Sequence, residues 1–182
     1  MKKHVGNLCI LGLFLGAIFT VHAEGLDTAV QAKVDAKVKE IQAWASDPAL
    51  VKAVVAHNTA LPAADAAMTQ DTWKTLTILD PFVRSFSTNT AGQFLKSKKS
   101  PEIAEAFVNG SDGLKVAFLG KTTGWSHKGK PKHDLPMSGK TWQGAVEVDE
   151  STGLQQVQVS VPILEGGQPV GSLVVGLALS KL

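Results

Sequence analysis

Cysteine is nearly missing from this sequence: Cys9 is the only one. It lies in an apolar run, Leu8 to Val21, that follows the basic "MKK" and precedes the small-residue ending "VHA". That order predicts a secretory leader over residues 1–23, cleaved between Ala23 and Glu24, and therefore a periplasmic product. The run is shorter than the roughly 20 residues a membrane-spanning helix needs. Cleavage removes Cys9, and with it disulfides, thiolate metal ligation, a thiol nucleophile and haem attachment. Lys2 and Lys3 leave too, which brings the 18 basic and 16 acidic residues into balance. A neutral, exported domain is a poor partner for nucleic acid, which is bound by a strongly basic face. Residues 24–182 have the length of one domain with its own core, and no later stretch reads as a membrane span.

What is present divides in two. The first half reads as helices. Val30, Val34, Val38, Ile41 and Ala45 recur at helical spacing, with Lys33, Lys37, Lys39 and Glu40 opposite. "SDP" at 46–48 starts a second helix, with Asp47 as cap and Pro48 in the first turn. Leu50, Val51, Val54 and Val55 line it to about Asn58. "ALPAADAAMTQ" reads as loop with a short helix. Asp71 caps the next segment, which Pro81 interrupts, and "AGQFLKSKKSPEIAEAF" adds a further helical piece. After residue 107 the pattern becomes strands. "GLKVAFLG" follows the turn "NGSDG", and "TWQGAVEV" places Trp142, Val146 and Val148 on one face. "DESTG" makes a hairpin turn. Val157, Val159, Val161 and Ile163 then alternate with Gln156, Gln158 and Ser160, a half-buried antiparallel strand with its amides toward water. "EGGQ" turns the chain into "PVGSLVVGLAL", buried on both faces. Helices followed by a strand meander predict an α+β fold with an antiparallel sheet.

Chemistry concentrates in "KTTGWSHKGKPKHD", Lys121 to Asp134. His127, His133 and Asp134 lack helical or tight-turn ligand spacing and stand among lysines that repel a cation, so they read as surface histidines of a loop and no metal site is assigned. No GxSxG, phosphate-loop spacing or marked triad is present, and an enzyme ranks last. Lys121, Lys128, Lys130 and Lys132 concentrate positive potential, and Trp125 is either an apolar wall for a ligand or a core anchor. Arg84 is the only arginine; its planar fork suits a carboxylate, against the plainer reading of an Arg84–Asp80 pair on a helix surface. Trp44 and Trp73 read as helix-packing aromatics.

Four stretches together, "IQAWASDPALVKAVVAHN", "DTWK", "GLKVAFLGKTTGW" and "VDESTGLQQVQVSVPILEGGQPVGSLVVGLAL", resemble the single-Cache (PDC sensor) group of extracellular PAS-like sensor domains. The resemblance covers nearly all of residues 24–182. It implies a long N-terminal helix packed on a central antiparallel sheet, and a small-ligand pocket on the sheet's other face. The expected function is an exported Cache-like sensory or binding domain without cofactor. It would recognise a small molecule such as a carboxylate under the Lys121–Trp142 loop and signal through a separate membrane sensor kinase or chemoreceptor. Arg84, Lys121, Trp125, His127, Lys128, Lys130 and Trp142 are the candidate ligand contacts. The alternative is a structural or adaptor protein that docks on a receptor without a ligand of its own. A deep, partly polar pocket distinguishes the first reading; a filled, apolar one with an exposed hydrophobic stripe distinguishes the second.

Overall fold

The computed structural model describes residues 25–148 and 153–182. The expected leader and most of the "DESTG" turn lie outside them. Among the described residues, no helix is long and apolar enough to cross a membrane.

The first half is helical: α1 (Thr28–Ala45), α2 (Pro48–Thr59), α3 (Ala63–Ala67), α4 (Gln70–Thr75), α5 (Pro81–Thr88) and α6 (Thr90–Ser97). Each start has a local cause. Asp27, Asp47, Asp80 and Asn89 accept hydrogen bonds from first-turn N–H groups of α1, α2, α5 and α6, and Pro48 and Pro81 occupy first-turn positions where no N–H is needed. The expected cap at Asp71 is corrected. Thr69 caps α4 by accepting from Thr72 N–H, and Asp71 falls inside the first turn.

The second half is β1 (Ile103–Gly110), β2 (Lys115–Phe118), a short helix α7 (Pro131–Met137), β3 (Trp142–Val148), β4 (Gln155–Glu165) and β5 (Gln168–Ala178). The strands form one antiparallel sheet in the order β2-β1-β5-β4-β3. The expectation of helix through residue 107 fails at β1. Its alanines and glutamate are good helix formers, but propensity is a small term that tertiary pairing overrides, and ladders on both sides, to β2 and β5, hold it extended. The β4–β5 hairpin turns through Gly166 and Gly167, both at positive φ, as a two-residue turn of matching twist requires.

The two faces of the sheet differ. On one, Val157, Val159, Val161, Leu173, Val175 and Leu177 are all fully buried. They pack against Val34 and Ile41 of α1, Leu50 and Val54 of α2, and Leu95 of α6. On the other face, Phe107, Phe118 and Val174 meet an aromatic cluster in which Trp73 of α4, Phe86 of α5 and Trp125 of the β2–β3 connection pack edge-on or tilted. The rest of that second face is polar, and the β2–β3 connection with α7 covers it.

Two strand expectations are corrected here. Gln156, Gln158 and Ser160 do not face water: Gln158 is 7% exposed and Ser160 fully buried, because α7 lies over them. In β3, a register shift between Gln143 and Val146 pairs Trp142 with Ser160 but Val146 with Val157. Trp142 and Val146 therefore lie on opposite faces, since a one-residue irregularity inverts the alternation.

Candidate functional site

The polar face is assembled from three strands and the β2–β3 connection. Glu105 of β1 stands opposite Gly176 of β5, and Gln158 of β4 stands opposite the same glycine. With no side chain on Gly176, the two meet across β5: Gln158 Nε2 donates to Glu105, and Gln156 Nε2 reaches both Glu105 (3.2 Å) and Glu147 of β3 (3.3 Å). A Cβ at Gly176 would overlap Gln156 Oε1 and the Glu105 side chain, so a larger residue there would push these two groups apart. Lys132 of α7 donates through Nζ to Gln158 Oε1. Gln156 Oε1 is buried without a hydrogen-bond partner, an exception that calls for an explanation in a buried polar network.

Several bonds fix the covering segment. Trp73 Nε1 donates to Thr122 O (2.8 Å), and Gln70 donates to Thr123 O while accepting from Trp125 N–H. Ser160 Oγ donates to Lys132 O (2.6 Å), and His133 Nδ1 lies 3.0 Å from Ser172 Oγ. Beneath it lies a cavity of about 660 Å³, whose walls include Glu105, Phe107, Lys121, His127, Lys132 and Gln156. Burial lowers the affinity of both lysine ammoniums for their protons. Lys121 Nζ sits 4.6 Å from the Trp73 ring centroid, a cation–π contact that holds it over the aromatic cluster.

Beside the cavity a charge is buried deeper still. Lys115 is fully buried. Its Nζ donates to Asn109 Oδ1 (2.9 Å), lies 2.6 Å from His127 Nδ1, and stands over the Phe107 ring. Burial pushes its pKa well below the usual 10.5. His127 stacks on Phe107 with centroids 4.8 Å apart. Burial first, then the charges of Lys115 and Lys132, press the His127 pKa down to about 2. Asn109 continues the network to Ser172 and thence to His133. Among the described residues, no three His, Asp or Glu side chains come together as metal ligands.

Of the residues proposed from sequence, Lys121 and His127 line the cavity. His127 and His133, expected at the surface, are both buried, because the first stacks on Phe107 and the second bonds Ser172. The other candidates lie elsewhere. Lys128 and Lys130 are exposed and outside the cavity wall. Arg84 is also exposed, because Val83 and Phe86 take the inward positions of α5; neither a clamp on the cavity nor a side-chain pair with Asp80 is formed. Trp125 belongs to the aromatic core, and Trp142, though on the polar face, folds its ring toward Gly144. Sequence reasoning missed Glu105, hidden in a stretch read as helix, and Gln156 and Gln158, assigned to solvent. One signal pointed to the glutamines: the alternate positions of β4 are polar but uncharged, unlike a strand face bathed in water.

The fold and site define an α+β domain whose antiparallel sheet carries a helical layer on one face and a polar cavity, open to solvent, on the other. This is the architecture that the resemblance to single-Cache sensor domains implies. Similar solved structures include the sensor domain of the V. cholerae histidine kinase DctB, at 16% identity and a TM-score of 0.49, which covers 84% of this chain and 53% of that one. The ligand-binding domain of the Pseudomonas aeruginosa PAO1 amino acid chemoreceptor PctC, in complex with GABA, matches at 15% identity and a TM-score of 0.47, covering 84% and 56%. That of the Campylobacter jejuni chemoreceptor Tlp3, in complex with 4-methylisoleucine, matches at 12% and 0.43, with the same coverage. The chain thus spans little more than half the length of these solved chains. No protein-family model matches it, and no curated protein does.

Proposed function

We propose that this chain is a sensory or binding module that takes a small polar molecule into the cavity beneath α7. The observation that carries the proposal is the amide face of β4, with Gln156 Oε1 buried and unpaired. The face is polar, and its glutamines are buried beside an open cavity and not spread on a flat surface. The cavity holds two lysines, Lys121 and Lys132, and two glutamates, Glu105 and Glu147. Lysines alone would suit a bare carboxylate. The glutamates add acceptors for a cationic or donor end. The ligand class this favours is a small zwitterion, a carboxylate that also carries an amine. A partly polar cavity favours this reading over a receptor-docking adaptor without a ligand. Export to the periplasm and signalling through a separate membrane kinase or chemoreceptor belong to the same proposal. An intact mass beginning at Glu24 supports the first, and a mass retaining residues 1–23 contradicts it.

The test is a thermal-shift screen of amino acids, dicarboxylates and monoamines, since a ligand that binds only the folded state raises the melting temperature by mass action. At least one amino acid stabilises the wild type, and Gln156→Leu and Lys132→Met remove the shift, while Lys128→Ala and Arg84→Ala retain it. The proposal fails if no compound stabilises the protein, or if the shift survives in both cavity variants.

A further inference from the structure

A second opening lies away from the sheet face, in a groove of about 720 Å³ between α2, α3 and α5. Its long wall is made of small residues: Ala49, Ala53 and Ala56 of α2, with Ala64 of α3. Phe82 and Phe86 of α5 form the opposite apolar side. Such a wall by itself is only loose packing. What gives the groove chemistry is Asp65 of α3, which lines it and is only 7% exposed.

The Asp65 carboxylate accepts no hydrogen bond among the described residues. The nearest ring nitrogen is Nδ1 of His57, 3.9 Å away, beyond hydrogen-bond reach. His57 is committed elsewhere, because its Nε2 lies 3.2 and 3.1 Å from the two carboxylate oxygens of Asp112. Asp112 also accepts from Leu114 N–H, so it is held by two partners, whereas Asp65 has only the 3.9 Å contact to His57 and turns its carboxylate toward the groove. The other charges on the groove are Lys52, which is exposed and free to extend into water, and Lys115, already engaged with Asn109 and His127. Burial raises the Asp65 pKa above its usual 3.8, as expected of a carboxylate that lacks a donor. A buried acceptor at one end and an apolar trough along the rest is the pattern of a pocket for an amphiphilic small molecule, whose polar group fixes its orientation.

We propose that this groove is a second ligand site, separate from the cavity under α7, and that it takes a small organic ammonium whose head donates to Asp65 and whose apolar body lies along the α2 alanines. The site faces a different set of helices and shares no residue with the cavity wall, so its occupancy is readable independently.

The experiment is a titration of the full chain with hexylammonium, hexanol and hexanoate, followed by two-dimensional NMR with Kd values from the shifts. Hexylammonium binds the wild type at least tenfold more tightly than hexanol or hexanoate, and moves the Ala53, Ala56 and Asp65 amides while leaving the Gln156 and Gln158 side-chain amides in place. Asp65→Asn removes the preference for the ammonium over the alcohol and stays folded, since it keeps the side-chain shape and removes a carboxylate that burial disfavours in its charged form. Ala56→Leu, at an exposed helix position, fills the trough and weakens both ligands at least tenfold. The proposal is overturned if hexylammonium binds no better than hexanol, if Asp65→Asn leaves that preference unchanged, or if the shifts map to the cavity under α7.

Discussion

The two faces of the sheet are built from the same strands yet obey different rules. On β4, Val157, Val159, Val161 and Ile163 enter a dry layer under α1 and α2, and each is fully buried. One residue along, Gln156, Gln158 and Ser160 are nearly as inaccessible, but their neighbours are Glu105, Lys132 and Glu147. The first face supplies the area removed from water that holds a domain together. The second has to satisfy donors and acceptors in a confined space, and leaves at least one acceptor open. The difference teaches that burial alone does not distinguish core from site; the hydrogen-bond account of the buried atoms does.

The comparison is broken most violently at Val159. Val159→Asp puts a carboxylate with no partner into the helical layer, at a cost of at least about 3 kcal/mol. Chemical denaturation should find the variant unfolded or far less stable, and a near-native midpoint would show that this face is not dry.

The next largest effect is on pH dependence. In the folded state His127 has its pKa depressed to about 2, so the unfolded chain takes up the proton first as pH falls below the ordinary 6.5. The stability this group contributes is present above 6.5 and is lost as pH falls from 6.5 toward 2, at up to about 1.4 kcal/mol per pH unit. His133 is shifted in the same direction, chiefly by burial. Denaturation midpoints should therefore fall on acidification, and His127→Gln should make that fall shallower. An unchanged slope would place His127 in water.

A smaller effect sharpens the polar face. Gln158→Asp sets a carboxylate beside Glu105 in place of an amide donor, while Lys132 remains close. The balance should cost about 1–2 kcal/mol, clearly less than Val159→Asp. If Gln158 pointed to solvent, the cost would stay within about half a kcal/mol. The smallest effect belongs to the outer part of β3. Val148 is 59% exposed, and Val148→Lys should shift stability by no more than about 0.5 kcal/mol.

These contrasts also show what was legible in the sequence. The α1 and α2 helices, the Asp47 cap and the inward valines of β4 follow from spacing and side-chain type alone, because local geometry decides them. The strand character of β1 was not legible, since its pairing partners lie far along the chain and overrule a local helical preference. The bulge that inverts β3 left no mark in the alternation of Trp142, Val146 and Val148. Of the lysine-rich segment singled out from sequence, Lys121 and His127 line the cavity. Which lysines turn inward was not legible: α7 forms at Pro131 and directs Lys132 to Gln158, while Lys128 and Lys130 precede it and stay in water. Arg84 attracted notice by being alone, but composition carries no information about which way a helix faces.

The most direct measurement of the central claim follows the side-chain amides of Gln156 and Gln158 by NMR, while the stabilising compound found in the thermal-shift screen is titrated in. If the polar face is a ligand site, those two side-chain resonances and the His127 ring shift with a common Kd, and the backbone amides of Val34 and Ile41 in the helical layer stay in place. Shifts confined to Arg84, Lys128 and Lys130, with Gln156 and Gln158 unmoved, would contradict the account.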